Sequence, residues 1–196
     1  MARAGRRPGP GSTSDDVLAA ARSLFAERGY RGTTLRAIAA AAGVTPAMIH
    51  HFFGSKQRVF LAAIRMPIDP TAVLSGLLDG PREDFAEALV RTFVAVWRSD
   101  ATGPGLRGML RSAVADEEQA AAVRAFAGAI VLPRTAAALG VPIERVEAAL
   151  SILIGQAVTR AIIGIEPLAS MSDDDVVALF APAVAVVLGL RARDPA

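Results

Sequence analysis

Apolar residues recur at three- and four-residue intervals along most of the chain, the period of helices packed on one side. Val17, Ala21, Leu24 and Phe25 mark a helix over about 14–28, and Leu35, Ile38, Ala39 and Ala42 a second. Short helices follow over 46–53 and 56–66, then one over 82–98 whose Phe85, Leu89, Phe93 and Trp97 form an i, i+4 series. The pattern continues over 106–115, over 117–139 with Pro133 disturbing it, and over 143–164 and 173–191. Gly103-Pro104-Gly105 and Gly140-Val141-Pro142 separate these helices, and Pro67 and Pro70 mark a linker. No segment alternates as a strand does, and no repeat of fixed period occurs. The pattern predicts an all-α fold of about nine helices.

Residues 33–56 carry the most specific local signals. Thr33 or Thr34 can cap the second helix through a hydroxyl that accepts a backbone N–H. Gly43 follows where the chain must leave that helix, because glycine tolerates positive φ. Thr45-Pro46 is a start signal, with threonine as cap and proline at the first helical position. The short third helix ends in Phe52 and Phe53, expected to anchor it to the core, and Gly54-Ser55-Lys56 opens a fourth. Two short helices joined by a glycine turn have the shape of a helix-turn-helix, which places its second helix in the DNA major groove.

In these residues the segment resembles the N-terminal domain of the TetR family of bacterial transcriptional regulators. The features that carry the resemblance are Thr33-Thr34, Ile38-Ala39, Gly43-Val44, the short helix within Thr45–Phe53, Ser55-Lys56, and the upstream Gly29-Tyr30-Arg31-Gly32. The match covers about residues 14–60; the rest resembles the family in being helical, apolar and of suitable length. His50 departs from the pattern, standing where the family usually has a tyrosine that contacts a phosphate. The resemblance implies an N-terminal three-helix DNA-binding domain and a C-terminal helical domain for ligand binding and dimerisation. It divides the chain into a disordered basic arm (1–13), a helix-turn-helix domain (14–60) and the helical remainder (61–196).

The candidate DNA-contacting set is Thr33, Thr34, Arg36, Thr45, Pro46, Ala47, His50, His51 and Lys56. Thr34, His50 and Lys56 would position the protein on phosphates, whereas Thr45, Pro46, Ala47 and His51 would face bases. Arg36 is either a phosphate contact or a solvated side chain. The third helix has no Arg, Asn or Gln, so the strongest bidentate base contacts are unavailable from it. Hydroxyl bonds, thymine-methyl contacts and DNA shape would carry the specificity.

Charge supports this division. The sequence pI of 9.9 overstates the basicity, since the net charge is +2 and Lys56 is the one lysine. Residues 1–60 hold nine Arg and Lys against three acids, whereas residues 61–196 hold twelve against sixteen. Arg3, Arg6 and Arg7 could enter a minor groove, track phosphates or form an untethered tail. Cysteine is absent, which excludes a disulfide framework, a thiolate nucleophile and a zinc finger. No apolar stretch follows the early arginines, so no secretory leader is expected. The apolar run Val176–Leu190 is too short to span a bilayer and contains Pro182 and Gly189. His50 and His51, as helix neighbours, point about 100° apart and make no metal pair. No metal or cofactor is expected.

The last two helices are apolar on more than one face and need a second buried surface. In the family these helices pair with a partner subunit. Val146, Leu150, Leu153, Ile154, Ala157, Val176, Phe180, Val184 and Val187 are the candidate dimer contacts. Phe85, Leu89, Phe93, Trp97, Met109, Leu110, Phe126, Ile130 and Gln156 are, by position, the candidate lining of a ligand pocket, with plain core as the alternative. The expectation is a cytoplasmic, homodimeric regulator, most often a repressor in this family. It would bind a palindromic operator in double-stranded DNA and be released by a small hydrophobic effector; no membrane partner is expected. Two other classes compete with this reading. An all-α hydrolase or lyase finds no nucleophile motif here, and a helical interaction module that no longer reads DNA would explain the weak base-reading set.

Overall fold

The computed structural model describes residues 10–190. Among them there is no strand, and eleven α-helices carry the chain, as the apolar period predicts. Arg3, Arg6 and Arg7 lie outside the described residues. The helices are α1 (Pro10–Gly32), α2 (Leu35–Ala41), α3 (Pro46–Phe53), α4 (Lys56–Ala63), α5 (Pro70–Leu78) and α6 (Phe85–Arg98). They continue as α7 (Gly103–Ala115), α8 (Glu117–Phe126), α9 (Leu132–Leu139), α10 (Ile143–Ala157) and α11 (Asp173–Leu188). Two compact units form. Among the described residues, one contains those from Pro10 to Met66 together with Ser112–Phe126; the other contains Pro67–Arg111 and those from Ala127 to Leu190. The helix-turn-helix domain was expected over 14–60, with the remainder 61–196 as one domain; the first unit reaches Met66 and takes in α8.

In the first unit α1 starts at Pro10, so the last residues of the expected arm are helical. Val17, Ala21, Leu24 and Phe25 form its buried face. Gly29 breaks the helix with φ 68°, which glycine adopts without a Cβ clash, and Tyr30 turns inward. Phe25, Tyr30, Phe60 and Phe126 then make one aromatic cluster. Phe60 meets Phe25 edge-on at 4.9 Å and stacks on Phe126 at 4.7 Å, and Tyr30 meets Phe126 edge-on at 5.7 Å. Phe126 was expected to line a ligand pocket. It is instead core of this unit, because α8 lays its apolar side, with Ala122, against α1.

The second unit packs α6, α9, α10 and α11 around one core that includes Phe85, Val90, Val94, Leu139, Val146, Leu153, Val176 and Val184. The buried side of α6 is Phe85, Ala86, Val90, Val94 and Trp97, whereas Leu89 and Phe93 pack half-buried at the edge of the core. A strict i, i+4 series drifts around a helix of 3.6 residues per turn, so those four aromatic and leucine positions do not share one face. Phe85 is therefore core rather than pocket lining. Pro70, expected as linker, opens α5: it sits in the first turn, and Asp69 caps by accepting from the Thr71 N–H at 3.0 Å. Gly103-Pro104, expected as a turn, opens α7. There Gly103 is buried against α6, and a Cβ on it would lie 2.4 Å from the Trp97 carbonyl oxygen.

Two π-helical turns, Ala127–Val131 and Val158–Ile163, interrupt the expected long helices. The first precedes Pro133, whose missing N–H and ring bulk are incompatible with an unbroken α-helix. The stretches Glu117–Leu139 and Ile143–Ile163 are long and apolar enough to cross a bilayer by length and composition. Both contribute to the cores just described, through Phe126, Leu139, Val146 and Leu153.

Two stability outcomes follow from this packing. Phe126→Ala should destabilise the first unit by about 3–5 kcal/mol, since it removes the ring that stacks on Phe60 and meets Tyr30. Urea unfolding checks it, and an unchanged midpoint would show that the cluster does not hold α8. Gly103→Ala should lower the Tm of the second unit, at a cost of about 1–3 kcal/mol for forcing α7 off α6; calorimetry that finds no shift contradicts the close approach.

Candidate functional site

The helix-turn-helix is built by three successive side-chain caps. The Thr34 hydroxyl accepts from Ala37 N–H at 3.1 Å, that of Thr45 from Met48 N–H at 3.3 Å, and that of Ser55 from Arg58 N–H at 3.2 Å. Each satisfies an N–H that the helix start leaves without a partner. Gly43, at φ 67°, makes the turn, and Val44 N–H closes it onto Ala39 carbonyl at 3.0 Å. Pro46 occupies the first turn of α3, as the Thr-Pro pair predicts.

Thr33 is a correction. It is fully buried, and its hydroxyl donates to the carbonyls of Leu24 and Gly29, both at 2.9 Å. It locks the start of α2 to the end of α1 and has no surface to offer DNA. The expected anchor Phe52 is another, at 41% exposed; Ile49 is the fully buried residue of α3.

Thr34, Arg36, Thr45, Pro46, Ala47, His50 and His51 are all exposed. From Arg28 to Ile68 the chain carries six basic side chains and no carboxylate. Lys56 is half-buried with its ammonium 4.4 Å from the centre of the Tyr30 ring, a cation–π contact that fixes where its charge stands. Partial burial lowers its pKa from the ordinary lysine value by desolvation. His50 Nδ1 lies 3.0 Å from the Gly54 carbonyl oxygen. A carbonyl only accepts, so Nδ1 carries the proton in that bond; Nε2 is then a bare acceptor in the neutral ring and a donor only in the imidazolium.

In the second unit Trp97 and Gln156 lie together in the wall of a cavity of about 420 Å³. Met109, Leu110 and Ile130 are half-buried and are not among its lining residues. Of the candidate dimer contacts, Val146, Leu153, Ala157, Val176 and Val184 are buried within the protomer's own core and cannot meet a partner. Leu150, Ile154, Phe180 and Val187 are half-buried. Sequence periodicity could not assign them, because each helix has two apolar faces. The exposed face of α11 instead carries Leu179, Pro182, Ala183 and Val186, with Leu179 57% and Val186 69% exposed.

Known proteins match both parts of the chain. Residues 17–63 match the model of bacterial regulatory proteins of the tetR family, and residues 83–188 that of a tetracyclin repressor-like C-terminal domain. The crystal structure of a TetR-family regulator from Streptomyces coelicolor A3 is 34% identical, with a TM-score of 0.52 over 95% of this chain and 99% of that one. The HTH-type transcriptional repressor AcnR of Corynebacterium efficiens is 41% identical over 56 residues, 29% of this chain and 30% of that protein. The HTH-type transcriptional regulator BetI of Brucella anthropi is 34% identical over 85 residues, 41% of this chain and 43% of its own length. The chain thus matches less than half the length of these two relatives. With both family models and a near full-length structural relative in agreement, the chain belongs to the TetR family of bacterial transcriptional regulators.

Proposed function

We propose that this chain is a ligand-responsive transcriptional repressor that acts in the bacterial cytoplasm, binding a palindromic operator as a homodimer and leaving it when a small molecule occupies its C-terminal domain. The observation that carries the reading is the capped helix-turn-helix whose exposed face is basic and free of carboxylates from Arg28 to Ile68. Phosphate attraction supplies most of the affinity of such a reader and makes it salt-dependent. Thr34, Arg36, His50 and Lys56 position the protein on phosphates; Thr45, Pro46, Ala47 and His51 face bases.

The dimer reading is supported by the exposed row Leu179, Pro182, Ala183 and Val186, which share one side of α11 at i, i+3, i+4 and i+7. Beside it α10 exposes Ala148, Ser151 and Gly155, small enough for a second helix pair to approach closely. A two-fold dimer presents two copies of α3 to successive major grooves, so its operator would be a palindrome. Release follows as a population shift: DNA favours one spacing of the two recognition helices and the effector another.

Selection of bound DNA from a random pool, followed by fluorescence anisotropy across salt, tests the reading. A palindromic consensus is expected, and binding without sequence preference would sink it. Arg36→Ala should weaken binding to all sequences alike and reduce the salt slope by about one. His50→Ala should weaken binding to all sequences alike, whereas His51→Ala should change the selected sequence; the reverse pattern excludes His50 as the phosphate contact. Replacing both Leu179 and Val186 with Glu should convert the dimer to monomer by sedimentation and abolish operator binding with the fold intact. A dimer that survives the pair places the interface elsewhere.

A further inference from the structure

The cavity beside Trp97 is not the apolar chamber that composition predicts. Its walls include Val94, Trp97, Ala157 and Ala161, but also three guanidinium groups, Arg98, Arg107 and Arg160. One carboxylate answers two of them. Asp173 Oδ1 accepts from Arg98 at 3.0 Å and from Arg160 at 2.9 Å. Arg107 donates to the Trp97 carbonyl at 3.2 Å, and among the described residues no carboxylate lies within ion-pair distance of it. A second carboxylate, Glu166, accepts from the lining Ser170 hydroxyl at 2.6 Å, so three guanidinium groups against two carboxylates leave one positive charge in excess, and Arg107 is the arginine without an acidic partner. Arg160 is the deep one, its side chain 7% exposed and also held by the Met171 carbonyl, whereas Arg98 stands at the rim.

A second observation points the same way. Gln156 is 4% exposed, lines the cavity, and its Oε1 has no hydrogen-bond partner. A buried carbonyl left without a donor is costly, and the cavity is where a donor could come from. The π-helical turn Val158–Ile163 widens the chain at Arg160 and Ala161, and such turns recur at functional sites. A volume of about 420 Å³ falls within the usual range of small-molecule sites.

We infer that the effector is an organic carboxylate with an apolar body and a hydroxyl or N–H near its charged end. The carboxylate meets the guanidinium groups, whose planar donor pairs match its two oxygens. Its hydroxyl or N–H donates to Gln156 Oε1, and its hydrocarbon lies against Val94, Trp97 and Ala157. The inference rests on the regulator reading above only for its consequence on DNA; binding itself is measured without DNA.

Trp97 is the chain's one tryptophan, so its fluorescence reports the cavity directly. The full chain is titrated with 3-hydroxyoctanoate, octanoate and 3-hydroxyoctanamide. The hydroxy acid is expected to give a saturable change, with the amide at least about tenfold weaker because the charged hydrogen bonds are lost. Arg107→Ala should remove the preference for acid over amide, and circular dichroism and Tm show whether that variant is folded. Gln156→Met should keep acid binding and remove the advantage of the hydroxy acid over octanoate. An amide that binds as tightly as the acid, or no saturable response to either acid, overturns the inference. Operator anisotropy in the same samples separates the two ideas: acid binding without DNA binding defeats the regulator reading alone, and DNA binding without acid binding defeats the inference alone.

Discussion

The packing of Phe60 between Phe25 and Phe126 is the contact on which the DNA-binding unit depends. It joins α1 and α4, which frame the helix-turn-helix, to α8, which arrives from more than fifty residues further along the chain. Three aromatic rings would bury little on so small a unit if α8 were absent, because α1 would then expose the side that Ala122 and Phe126 cover. Tyr30 completes the cluster and also sets Lys56 through its ring face, so the same packing that stabilises the unit fixes one of its charges. Stability and DNA reading meet in that tyrosine.

The parts of this architecture that were legible in the sequence are those decided locally. Thr34, Thr45 and Ser55 cap their helices because a hydroxyl one turn before a helix finds its partner within three residues. Gly43 turns for reasons confined to its own φ. Thr33 was misread because its partners, the carbonyls of Leu24 and Gly29, belong to the preceding helix, and nothing in a threonine pair says which hydroxyl faces inward. Pro70 was misread because proline both ends and begins helices, and the deciding neighbour is the capping Asp69.

Longer-range features were less accessible. Periodicity marked α10 and α11 as apolar but could not say which face meets the chain's own core and which is left exposed; burial of Val146, Leu153, Val176 and Val184 divides the two. The cavity was hidden for a different reason. Its arginines stand at 98, 107 and 160, on separate elements, and a chain rich in arginine gives no hint that these three converge. Trp97 and Gln156 were identified by position, and the charge around them was not.

The recognition helix has a consequence for how such a protein changes over evolutionary time. Ile49 is the single fully buried residue of α3, and the helix is held otherwise by a cap at Thr45 and a turn at Gly54. Pro46, Ala47, His50 and His51 contribute nothing to the core. Mutations at these positions are therefore nearly neutral for folding, and selection on them acts through the operator alone. A duplicated copy of this gene could acquire a new target site by drift at a few surface residues, with the packed cores of both units inherited intact.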